Sequence, residues 1–104
     1  MYKSNISGLL FTWDRAKELA NRRKHGVSFI EAARAFDDPH ARRYFDVDHS
    51  QDEDRFILLG LSGAARLLVV CHCHREGGRN IRLINARKAD AEETKDYERQ
   101  RRHA

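Results

Sequence analysis

Two histidines, His72 and His74, stand in the most apolar stretch of the chain, and arginines follow at Arg75 and Arg82. Side chains alternate between the faces of a strand, so the two imidazoles share one face and Cys71 and Cys73 the other. Imidazole moves protons near neutral pH. Guanidinium holds a phosphate through two parallel hydrogen bonds and offsets charge that builds up in a transition state. A hairpin that set Arg82 or Arg75 beside one of the histidines would join a proton-transfer group to a phosphate clamp. A solvated sheet face with charges paired across strands accounts for the same residues without any chemistry. Cys71-His72-Cys73-His74 also invites a zinc reading, but four consecutive strand residues cannot converge on one tetrahedral ion. The cysteines are expected as small core residues.

A second polar group, His49-Ser50-Gln51-Asp52-Glu53-Asp54-Arg55, offers an acid, a base and a phosphate ligand. Its bland reading is a turn in which Ser or Asp bonds to the backbone. Arg22-Arg23-Lys24-His25 would either steer phosphates or complement the end of a helix dipole. Arg87-Lys88 follows a strand, and Tyr97 would either stack on a base or face the core. There is no Walker loop, dinucleotide fingerprint or nucleophile elbow.

The elements that must position these residues follow from periodicity. Residues 14–24 read as a helix, capped by Asp14 and ended by Gly26. Ser28-Phe29-Ile30-Glu31 has the pattern of a capping box. It opens a second helix with Phe29, Ala32, Ala33 and Phe36 on its buried face, ended before Pro39. The period then changes from helical to alternating. Strands are expected at 41–47, 55–61, 66–74 and 80–87, with Gly77-Gly78 as a hairpin loop. The run Leu67-Leu68-Val69-Val70 suggests a central strand buried on both faces. A last helix runs from Asp90 to about Arg102, acidic at its start and basic at its end, with only Ala91 and Tyr97 as an apolar face. The order of elements predicts an α+β fold with two N-terminal helices, a four-stranded antiparallel sheet and a C-terminal helix.

The 104 residues predict a single domain, 1–104. A net charge of +4 and a pI of about 9.4 favour an anionic partner, of which nucleic acid is the commonest. No apolar run reaches the roughly 18 residues of a membrane span. Two cysteines one residue apart are not a disulfide framework, so a cytoplasmic protein with reduced thiols is expected.

Taken in order, the motifs become specific together. Phe11-Thr12-Trp13-Asp14 with Lys17 and Asn21, Lys24-His25-Gly26-Val27-Ser28-Phe29, Glu31-Ala32 and Phe36-Asp37-Asp38-Pro39 resemble the first half of the BrnT toxins. His49-Ser50, Glu53, Arg55-Phe56, Gly60, Leu67 to Val70, His72, Arg75, Ile81-Arg82, Ala86-Arg87-Lys88 and Tyr97-Glu98 continue the likeness. It covers roughly residues 11–98. Cys73-His74 stand where a small polar and an acidic residue are usual, and Asn85 where serine is common. The resemblance implies a RelE-like fold and metal-independent cleavage of RNA that blocks translation, with no cofactor. It implies a BrnA-like ribbon-helix-helix antitoxin as partner, bound in a hetero-oligomer, and operator DNA contacted only through that partner. On this reading His72 and Arg82 are the first catalytic candidates, with His49 and Glu53 beside them. Arg75, Arg55, Arg87, Lys88 and His25 are candidates for binding RNA phosphates. Two other readings are a RelE-like binding module without catalysis, acting with its antitoxin in operon autoregulation, and a metal-binding regulator using the Cys/His strand.

Overall fold

The computed structural model describes residues 2–6 and 8–103. The chain opens with two strands, β1 (Tyr2–Ile6) and β2 (Leu9–Trp13), followed by α1 (Arg15–His25) and α2 (Phe29–Arg34). Strands β3 (Arg42–Phe45), β4 (Phe56–Leu61), β5 (Leu67–Arg75) and β6 (Asn80–Lys88) come next, and α3 (Ala91–Arg102) closes the chain. All six strands form one sheet in the order β1-β2-β6-β5-β4-β3. The expected four-stranded antiparallel sheet preceded by helices is therefore corrected. The fold is α+β, but two strands precede the helices and the sheet is mixed, because β2 runs parallel to β6. The short apolar run Leu9–Trp13 becomes a strand because β6, some 70 residues downstream, pairs with it: Phe11 stands opposite Ile81 and Thr12 opposite Arg82.

Local signals set the helices. The Asp14 side chain accepts from the Lys17 backbone N–H, and Gly26 takes the left-handed conformation with φ 69°. Ser28 accepts from Glu31 N at 3.1 Å. The Glu31 carboxylate does not reach back to complete the box; it holds Arg66 and the Ser62 hydroxyl instead. The arginine keeps the Glu31 carboxyl below the usual range.

Helices α1 and α2 cover one face of the sheet. Phe11, Trp13, Phe29, Leu68, Val70, Ile81 and Leu83 fill the space between. Phe11 meets Phe36 edge to face at 5.1 Å and Trp13 meets Phe29 at 6.0 Å. Burial of each such ring contributes about 1.5–3 kcal/mol. Asn21 ties α1 to the sheet, donating to Val27 O and Ala86 O at 2.9 Å each and accepting from Ala86 N at 3.0 Å. The other face is covered more thinly, by α3 through Tyr97 against Leu59 and Val69. Gly60 is required where β4 passes the end of α2, since a Cβ there would lie 2.8 Å from the Ala35 carbonyl oxygen.

One irregularity decides what shares a face. Between β5 and β6 the register shifts: Cys71 stands opposite Asn85, but His72 stands opposite Leu83, and Ile84 is left out of the pairing. An unshifted ladder would have set Arg82 against His74. The bulge sets it against Cys73, on the opposite face from both histidines.

Candidate active site

The functional side chains gather on the face opposite α1 and α2, where β4 begins and β5 ends. Asp46 N donates to Arg55 O at 2.8 Å, extending the β3–β4 pairing one step beyond Phe45 and Phe56. Phe56 pairs with His72, Cys73 with Arg82, and Arg82 with Thr12. The ladder therefore lines up Asp46, Arg55, Cys73, Arg82 and Thr12 in a row across five strands on one face. Arg75 lies one step further out on the same face.

The loop from Asp46 to Arg55 is closed by Ser50. Its hydroxyl donates to Asp46 O at 2.5 Å and accepts from Arg55 N at 2.9 Å. This lays His49 over Asp46, so that His49 Nδ1 donates to the two carboxylate oxygens at 3.1 and 3.0 Å. The Asp46 side chain is 10% exposed and the His49 side chain 67%. Holding Nδ1 in this way fixes the ring and leaves Nε2 outside the pair. Glu53 bridges two guanidinium groups, 3.2 Å from Arg75 and 3.7 Å from Arg55. Arg55 Nε is buried without a hydrogen bond, and Arg82 makes no ion pair among the described residues. A hollow of about 140 Å³ is lined by Asp48, His49, Gln51, Asp52, Glu53 and Arg55.

The structure thus brings His49, Glu53, Arg55 and Arg75 together and sets Arg82 in their row. It does not bring His72 to them. His72 is fully buried beneath the helices, with Nδ1 donating to Val70 O at 3.1 Å and its ring 4.8 Å from Phe36. Burial pushes its pKa down to about 4, so the ring is neutral. His74, on the same face, is also lowered, first by burial and then by Arg43. Arg87 stands opposite Val69, nearer the far end of β5, where Glu93 holds it with two hydrogen bonds of 2.8 Å. Lys88 is exposed beside it, and His25 ends α1 at a separate surface hollow with Lys24 and Asn85. Asp46 escaped sequence reading, which ran it into a strand. Its signal is its place three residues before His49 and one after the alternating segment ends. Among the described residues no group of three or more His, Cys, Asp or Glu is placed to hold a metal. The cysteines and histidines of β5 lie on opposite faces.

The fold and this cluster together define a class: small basic α+β domains whose mixed sheet presents an imidazole, a carboxylate and several guanidinium groups at one open end. Residues 13–93 match the family described as ribonuclease toxin, BrnT, of type II toxin–antitoxin system. The chain belongs to that family, whose members are ribonuclease toxins paired with an antitoxin. The 1.1 Å crystal structure of the Brucella abortus ribonuclease toxin BrnT is similar, with a TM-score of 0.57 and 21% identity over 77% of this chain and 95% of that one. At this identity the likeness bears on the fold. No curated protein matches the chain. No helix among the described residues is long and apolar enough to cross a membrane.

Proposed function

We propose that this chain is an endoribonuclease that cleaves single-stranded RNA without a metal, at the cluster of His49, Glu53, Arg55, Arg75 and Arg82. The observation that carries this is the exposed His49 ring pinned through Nδ1 to a buried carboxylate, next to arginines on one sheet face. In such a reaction the 2′-hydroxyl of the RNA attacks the adjacent phosphorus. His49 Nε2 takes the 2′-hydroxyl proton. Arg55, Arg75 and Arg82 hold the phosphate and offset the charge of the phosphorane-like transition state. Glu53 pairs with two of these guanidinium groups and so limits their movement. The leaving 5′-oxygen takes a proton from solvent, to which this end of the sheet is open. Cleavage stops translation in the cell, and a BrnA-like ribbon-helix-helix antitoxin neutralises the toxin in a hetero-oligomer that reaches operator DNA through the antitoxin.

The test is cleavage of a defined single-stranded RNA by the purified protein in excess EDTA, beside His49→Ala and Arg82→Ala. Wild type should cut and leave a 2′,3′-cyclic phosphate, and both variants should lose most activity. Absence of cutting, with and without translating ribosomes, would replace this reading with that of a binding module that acts only with its antitoxin.

A further inference from the structure

One residue before the catalytic row, the strands present a different surface on the opposite face. Phe45 pairs with Phe56, and Phe56 pairs with His72. The Phe45 and Phe56 rings meet edge to face at 5.6 Å, and Phe56 meets His74 in the same way at 5.2 Å. Helices α1 and α2 do not reach the outer end of this ladder. Phe45 is 48% exposed, on an edge strand, which is unusual for a phenylalanine. An edge-to-face pair covers at most one face of one of its rings, so the outermost ring keeps a face to offer. Arg43 projects from the same face and acts electrostatically on both histidines. It has no ion-pair partner among the described residues.

We infer that Phe45, backed by Phe56 and His74 and flanked by Arg43, is a stacking site for a nucleobase of the substrate RNA, close to the scissile phosphate. The inference rests on the ribonuclease reading for the identity of the ligand. Aromatic rings beside cations are the surface on which single-stranded nucleic acid settles, because every base has a π-face and every linkage a charge. Phe45 and Asp46 are consecutive, so the stacking ring and the carboxylate that holds His49 lie on opposite sides of β3. A sheet with its side chains is about 10 Å thick. A single strand of RNA can round that edge within a few nucleotides. This site would supply the base preference of the enzyme while the arginines supply its grip on phosphate.

The experiment uses one single-stranded RNA, blocked against cleavage by 2′-O-methyl groups and made abasic at one position at a time. Binding to wild type, Phe45→Ala, Phe45→Trp and His49→Ala is measured at one salt concentration. Phe45→Ala should bind the intact RNA about tenfold more weakly, and Phe45→Trp should bind at least as tightly as wild type. One abasic position should weaken wild type by a similar factor and leave Phe45→Ala unaffected. His49→Ala should show the wild-type abasic pattern while failing to cut unblocked RNA. Equal abasic penalties in wild type and Phe45→Ala would overturn the inference. So would a Phe45→Ala protein that binds RNA normally but loses its antitoxin, which would make the patch a protein-docking surface. Loss of cutting in wild type with the Phe45-dependent pattern intact would sink the catalytic reading and leave the stacking site standing.

Discussion

At His49, the Asp46 carboxylate accepts a hydrogen bond from Nδ1 and solvent reaches the rest of the ring, whereas at His72 the ring is closed in by Phe36 and Phe56. The same residue type therefore has two fates, and they predict opposite results. His49→Ala should lower the single-turnover cleavage rate by about 10²-fold or more, the usual worth of a proton-transfer group. Asp46→Asn, which keeps the shape but not the charge, should cost less, about tenfold. His72→Leu should cleave at close to the wild-type rate. Its consequence should appear in stability instead. His72 binds its proton at about pH 4 folded and near 6.5 unfolded. Between those values the unfolded chain carries more protons, so stability is full above pH 6.5 and declines as the pH falls toward 4. The shift corresponds to about 3 kcal/mol at most. Urea midpoints measured across this range should fall with acid in wild type and fall less in His72→Leu. Parallel curves for the two proteins would refute the assignment.

Two tethers at the scale of elements carry testable weight. Asn21, on α1, spends its whole side-chain amide on the following turn and β6. Asn21→Ala would strand the Ala86 N–H and two carbonyls in the core, at a cost of about 3 kcal/mol. The expected outcome is a matching drop in the urea midpoint without loss of the folded baseline. Helix α3 has little apolar surface, and polar contacts hold it instead. Tyr97 donates to Asp38, which also accepts from Leu61 N at 2.8 Å. Asp96 accepts from Tyr44 at 2.6 Å and pairs with Arg42 at 3.3 Å. Burial, reinforced by Asp96, pushes the Tyr44 hydroxyl up to about 12, so it stays a donor. Tyr97→Phe should destabilise the domain by about 1–2 kcal/mol, since the lost bond is to a charged acceptor but Asp38 keeps its backbone donors. Thermal unfolding would check this, and an unchanged Tm would show that the Tyr97–Asp38 bond does not hold α3.

For the whole molecule, net charge and its placement set how RNA is gathered. The chain carries +4 overall. Arg55, Arg75 and Arg82 concentrate cations on one end of one face. Binding of single-stranded RNA should weaken with salt, with a log–log slope of about −0.7 for each phosphate neutralised. Arg82→Ala should therefore lower that slope by about 0.7 in magnitude, while Arg87→Ala, whose charge Glu93 already answers, should leave it nearly unchanged. Binding measured from low to moderate salt distinguishes the two; equal slopes for both variants would deny Arg82 a place on the phosphate path.

Local chemistry was written plainly in the sequence. The caps at Asp14 and Ser28, the left-handed Gly26 and the alternating runs of β3 to β6 depend on neighbours a few residues apart, and each stands where expected. The polar group from His49 to Arg55 was legible for the same reason. What the sequence could not show lies in pairings between distant segments. Leu9–Trp13 is a strand only because β6 pairs with it in parallel across most of the chain, so the sheet came out with six strands and not four. Arg82 and His72 were expected together and stand apart, because one extra residue at Ile84 shifts the ladder and turns Arg82 to the other face. Alternation in a strand gives relative sides only; a single bulge reverses them, and whether it forms depends on the partner strand and the core it must fill.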